Sequence, residues 1–110
     1  MTYASAIAAL ADPTRRVIVN RLRAGPLPVR ALADGLPISR PAVSQHLRIL
    51  TDAGLLTVTA QGTRRIYAIR PDGIADLRTY LDDLWGDALT AFARAAETLA
   101  ADIAKDPPPP

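Results

Sequence analysis

Tyr3, Ile7 and Leu10 recur at three- and four-residue intervals, the spacing of one helical face, and predict a short amphipathic helix. Asp12-Pro13-Thr14 restarts the chain, with Asp12 placed as an N-cap and Pro13 at the first helical position, where its missing N–H costs little. Val17, Ile18 and Leu22 form the apolar side of this second helix, and Gly25-Pro26 ends it. Val29, Leu32, Ala33 and Leu36 mark a third helix beginning at Pro28 and closed by Gly35 and Pro37.

The next stretch, PISRPAVSQHLRILTDAGLL from Pro37 to Leu56, organises the rest. Ser39 is a natural N-cap, and Pro41 falls in the first turn. At 100° per residue, Ala42, Val43, His46, Leu47, Ile49 and Leu50 share one side of the helix; Pro41, Ser44, Gln45, Arg48 and Asp52 share the other. One side packs and the other is free to read. Gly54 is the expected left-handed stop after Ala53, and Leu55 and Leu56 return to the core. Two short helices separated by a turn of about four residues form a helix-turn-helix, in which the first braces the second.

Leu56, Val58 and Ala60 then alternate, followed by Gln61-Gly62-Thr63-Arg64-Arg65 and by Ile66, Tyr67 and Ile69: a β-hairpin with a basic tip. From Asp72, or from a Pro71-Asp72-Gly73 turn, the pattern is helical again, and Ile74, Leu77, Leu81, Leu84, Trp85, Leu89, Phe92, Leu99 and Ile103 form a broad apolar stripe. Roughly thirty helical residues span about 45 Å, further than one small domain covers, so the far half calls for another chain unless Gly86 breaks the run. The fold class expected is mainly α with a small β-hairpin. A single domain over 1–106 holds a recognition helix at about 39–53, a wing at about 56–70 and a C-terminal dimerisation helix at about 72–105, and a flexible proline tail occupies 107–110.

Charge separates the chain into two regions. Residues 13–70 carry ten arginines against Asp34 and Asp52, a net of +8, whereas residues 71–110 carry Arg78, Arg94 and Lys105 against seven aspartates and Glu97, a net of −5. A basic middle joined to an acidic end suits one part facing a polyanion and the other facing water or protein. With no cysteine and one histidine, disulfides, thiolate metal sites and imidazole-rich clusters are excluded. No residue set suggests turnover, because there is no second histidine to pair with a serine and no glycine-rich phosphate loop. No secretory or membrane-spanning pattern is present, so a cytoplasmic protein without a membrane partner is expected.

Together, the motifs ALADPTRR, PISRPAVSQHLRILTDAGLL and GTRRIYAI and the order of elements resemble the ArsR-type (arsenic-repressor-like) winged helix-turn-helix transcriptional regulators of bacteria, over nearly everything from Leu10 to Phe92. The resemblance implies a homodimer that binds an inverted repeat in double-stranded promoter DNA and usually represses it, with an inducer loosening the grip. On that model the DNA-facing positions are Arg40, Pro41, Ser44, Gln45 and Arg48, behind the cap Ser39, together with Arg64 and Arg65 in the wing. Arginine can fork onto guanine, glutamine can pair with adenine, and wing arginines can enter a minor groove or hold a phosphate. Tyr3, Ile7, Leu10, Leu84, Trp85, Leu89 and Phe92 are the expected dimer interface.

Two departures from the family pattern stand out. Metal-sensing members resembling this chain use cysteines near the recognition helix or aspartate and histidine ligands on the last helix. Here only Asp82, Asp83, Asp87 and Glu97 remain, so the chain resembles the metal-independent branch and calls for no cofactor. Pro37 also stands where the helix-turn-helix turn often has glycine, and Gly35 is expected to take over that backbone role. A protein-binding winged helix without specific DNA recognition is the rival reading, which the basic face and wing argue against. RNA binding lacks the exposed stacking aromatics it would use. His46 is open to two readings, a packed, hydrogen-bonded ring or a pH-sensitive phosphate contact. Tyr3, Leu84, Trp85 and Phe92 suit a small-molecule effector pocket and a plain dimer core equally well.

Overall fold

The computed structural model describes residues 3–105 and 109. In chain order they form α1 (Tyr3–Leu10), α2 (Pro13–Arg21), a 3-10 turn (Leu22–Ala24), β1 (Leu27–Pro28), α3 (Val29–Ala33), α4 (Arg40–Asp52), β2 (Leu56–Gln61), β3 (Arg64–Ile69) and α5 (Pro71–Lys105). The expected proline tail at 107–110 lies outside the described residues except for Pro109, which belongs to no helix or strand. Two compact units divide the chain, one up to Arg78 and one from Thr79.

In the first unit α2 and α4 begin where a side chain satisfies an orphan N–H. Asp12 caps α2 by accepting from the Arg15 N–H at 3.1 Å, and Ser39 caps α4 by accepting from the Ala42 N–H at 3.3 Å. The carboxyl group of Asp12 is held below its ordinary pKa, chiefly by that Arg15 N–H, against the opposing effect of burial. Gly35 and Gly54 take φ 74° and 81°, the left-handed conformation that lets the chain turn sharply before and after α4. Gly35, not Pro37, is the residue that reverses the helix-turn-helix backbone.

The core is built mainly on α4, which supplies Val43, Leu47 and Leu50; Ile18, Leu22, Leu32, Leu55 and Leu56 pack against them, with Ala6, Ala9 and Tyr67 at its margins. Two residues expected on packing sides are exposed instead. Val17 and Ile49 point outward, because Ile18 on α2, and Val43, Leu47 and Leu50 on α4, define narrower buried arcs than the apolar spacing suggests. On α4, Ile49 lies more than a quarter-turn from the centre of that arc.

The hairpin is also not alone. Leu27 and Pro28 pair antiparallel with Tyr67 and Ile66, giving a three-stranded sheet in the order β1-β3-β2. Pro28 therefore belongs to a strand and not to the third helix, which starts at Val29. A proline fits there because β1 is an edge strand, where one missing N–H leaves no interior ladder bond unmade. Along β2 and β3 the register runs from Leu56 opposite Ile69 to Gln61 opposite Arg64, closed by Gly62-Thr63. Gly62 takes φ 61°, as a two-residue hairpin connection requires.

α5 starts at Pro71 and continues through Gly86 without a break. Near its start, Gly73 lies so close to the Gly54 carbonyl that a side chain there would collide with it. The second unit holds the remainder of α5, none of whose residues is buried. No described helix is long and apolar enough to cross a membrane.

Candidate nucleic-acid interface

Seven of the ten arginines of residues 13–70 fall into two groups by their partners. Arg15 donates from Nε to the Ala9 carbonyl at 2.6 Å, and Arg16 donates to the Leu10 and Ala11 carbonyls at 2.8 and 3.0 Å. Both close the carbonyl end of α1, where a cation also suits the helix dipole. Arg21 donates to the Leu32 carbonyl at 3.1 Å and to the Asp34 carbonyl, tying α2 to the turn that precedes α4. These three are structural. Each spends its guanidinium on backbone carbonyls at helix ends.

Arg30, Arg40, Arg64 and Arg65 are exposed, and among the described residues their side chains have no hydrogen-bond or ion-pair partner. With Ser44 and Thr63 they line one open groove of about 710 Å³ between α3, the first turns of α4 and the hairpin tip. No acidic residue lines it. A second groove of about 980 Å³ runs along the outer side of α4 towards the sheet and takes in Pro41, Ser44, Gln45, Arg48 and Arg65. Ser44 and Arg65 belong to both.

The structure places every position expected to face DNA. Arg40, Pro41, Ser44, Gln45 and Arg48 are exposed on α4, and Arg64 and Arg65 are exposed at the start of β3. Ser39 is exposed too, but its hydroxyl is committed to the cap. Arg48 Nε stands 3.9 Å from Asp52 Oδ2 one turn along, both side chains being largely exposed. Such a pair is worth at most about 1 kcal/mol and yields readily to a better acceptor. Residue pattern alone did not single out Arg30; the signal that could have done so is the pairing of Pro28 with Ile66, which carries the start of α3 beside the wing.

His46 is half-buried, and its Nδ1 lies 3.4 Å from Arg15 Nη1. A guanidinium can only donate, so in any hydrogen bond between the two Nδ1 is the acceptor. The ring thus joins α4 to the Asp12–Arg15 cap of α2.

The expected interface residues Tyr3, Ile7, Leu84, Trp85, Leu89 and Phe92 are all exposed in the single chain. Leu10 differs, because it is partly covered by the chain's own core. Among the described residues no three His, Cys, Asp or Glu side chains converge as metal ligands would.

A capped helix with an exposed polar face, braced by a second helix and flanked by a basic hairpin, defines a winged helix-turn-helix DNA-binding protein. A family model described as a helix-turn-helix domain matches residues 10–59. The HTH-type transcriptional regulator Rv2034 of Mycobacterium tuberculosis is 54% identical over 82% of this chain and 84% of its own length. An ArsR-like transcriptional regulator from Rhodococcus sp. RHA1 superimposes with a TM-score of 0.71 at 30% identity, over 86% of this chain and 92% of that one. The homodimeric winged helix-turn-helix DNA-binding domain Mb0332 of Mycobacterium bovis does so with a TM-score of 0.61 at 28% identity, over 78% of this chain and 80% of that one. The chain belongs to the ArsR family and is a DNA-binding transcriptional regulator.

Proposed function

We propose that the protein is a homodimeric repressor that occupies an inverted repeat in a promoter and denies it to the transcription machinery. Each subunit lays α4 in a major groove, with half-sites about one helical turn apart, while the hairpin of β2 and β3 grips the flank. The observation that carries this reading is the sorting of the arginines. Those at helix ends are consumed by carbonyls, and those beside α4 and the hairpin tip face an open groove with no acid lining it. An unpaired cluster of like charge is a standing repulsion unless a polyanion passes through it.

Ser44, Gln45 and Arg48 are the side chains proposed to meet base edges, Arg64 and Arg65 to hold backbone or minor groove, and Pro41 to pack where the helix enters. Ser39 contributes by fixing the start of the helix. Dimerisation is supported by the exposed apolar side chains of α1 and, separately, of α5, and by the homodimeric state of the Mb0332 domain.

A fluorescence-anisotropy titration near physiological salt tests the function, comparing the DNA just upstream of the protein's own gene with a scrambled duplex of equal length. At least hundredfold tighter binding to the native fragment is expected, in line with specific-to-nonspecific ratios of about 10³ or more for such proteins. Equal, weak binding that salt abolishes, on this fragment and across a genomic library, would transfer the winged helix to a protein partner.

A further inference from the structure

Arg30 lies outside every contact set drawn from the residue pattern, yet the sheet carries it to the wing. Pro28 pairs with Ile66 in antiparallel register, so two residues onward along one strand and two back along the other lead to Arg30 and Arg64. The chain leaves the strand at Val29 to begin α3, and Arg30 then lines the same groove as Arg40, Arg64 and Arg65. The four guanidiniums come from three separate elements: α3, the first position of α4, and β3. None has a side-chain partner among the described residues, and the groove offers them no carboxylate.

We propose that Arg30, Arg40, Arg64 and Arg65 form one clamp on a single run of DNA phosphodiester backbone, so that Arg40 is a phosphate ligand and not a base reader. This inference rests on the DNA-binding reading above and deepens it. Four guanidiniums lining one groove suit a strand that carries a phosphate charge at every nucleotide. Base recognition then falls to the neighbouring groove, where Gln45 and Arg48 stand further along α4. Arg48 alone of these arginines has an intramolecular carboxylate to leave before it binds, and the exchange from Asp52 to a base edge costs little. Recruiting α3 to the backbone also ties the bracing helix and the wing to the same strand, which fixes the angle at which α4 enters the groove.

Anisotropy titrations across a salt series, on the operator and on a scrambled duplex, test the clamp with R30A, R40A, R30K and the control R23A. Arg23 is exposed and lies outside the groove. R30A and R40A should each weaken both duplexes by the same factor, about fivefold near physiological salt, and each should reduce the slope of log K against log[salt] by about 0.9 per subunit. R30K should keep the wild-type slope, and R23A should match wild type throughout. Wild-type affinity and slope in R30A, with wild-type binding intact, would overturn the clamp alone. A loss in R40A confined to the operator would return Arg40 to base reading and overturn its place in the clamp. Failure of the wild type to bind any duplex would overturn the functional reading and the clamp with it.

Discussion

Arginine serves two purposes in this protein, and the partner each guanidinium finds decides which. Arg21 bridges the carbonyls of Leu32 and Asp34, at the end of α3 and the entrance to the turn before α4. Replacing it with alanine should cost about 1.5–3 kcal/mol, the range for hydrogen bonds to a charged group. Thermal or urea unfolding measures the loss, and the salt slope of DNA binding by the folded fraction should stay at the wild-type value. A reduced slope with unchanged stability would place Arg21 on DNA. Asp12 supplies a second residue-level expectation. Its carboxylate is stabilised in the folded state, first by the Arg15 N–H, then by the Thr14 N–H and the nearby charge of Arg15, against the opposing effect of burial. A folded-state pKa below the unfolded one contributes stability that is present at neutral pH and disappears as pH falls through the lowered value. Acidification below about 3.8 should therefore loosen α2. D12N keeps a capping side chain without the charge, and it should lose less stability than wild type over that acid range in pH-dependent melts followed by circular dichroism.

At the scale of elements, two glycines in α5 make opposite demands. Gly73 faces the Gly54 carbonyl with no room for a Cβ, whereas a Cβ on Gly86 would meet nothing within 4 Å. G73A should destabilise by about 1–3 kcal/mol, as overpacking against backbone does. G86A should stabilise by up to about 1 kcal/mol, since alanine is the better helix former and no strain opposes it. Paired denaturant titrations check both signs, and equal effects would mean that Gly73 is not pressed against the turn after α4. This contact also marks where the chain could be read and where it could not. α4 and the hairpin were legible because their signals are local: Ser39 and Pro41 at the start, Gly54 at the end, Gly62 at the tip. α5 was legible from its stripe, although nothing in the stripe decided whether Gly86 would interrupt it. β1 was not legible, because two residues, one of them proline, carry no strand signal of their own and exist as a strand only beside the free edge of β3. The division of the arginines was hidden for the same reason, since the carbonyls that claim Arg21 lie 11 and 13 residues away. Ile49 and Val17 show the converse limit, for apolar spacing gives a face but not the width of the arc that packs.

For the whole molecule, the decisive quantity is how much apolar surface one chain leaves uncovered. Leu81, Leu84, Trp85, Leu89, Phe92, Leu99 and Ile103 follow one another at helical intervals along α5, and Phe92 and Trp85 are 72% and 66% exposed. Single exposed apolar residues are ordinary, whereas a continuous stripe on one helix marks a surface that another molecule covers. A second copy of the chain fits that role in the proposed repressor, and the coupling to DNA follows from geometry. Two recognition helices joined in one dimer engage two half-sites, so the second binds at high effective concentration, and a monomer forfeits that gain. F92D should therefore convert a dimer at micromolar concentration to a monomer in sedimentation velocity. The same substitution should weaken operator binding by a factor of about 10² or more while leaving every arginine of the first unit in place. Wild-type melting temperature should rise with protein concentration, because association stabilises only the folded chain, and that dependence should vanish in F92D. A wild type that sediments as a monomer and binds the operator as tightly as expected of a dimer would show that one recognition helix suffices. The stripe on α5 would then await a different partner, and the operator would need only a single half-site.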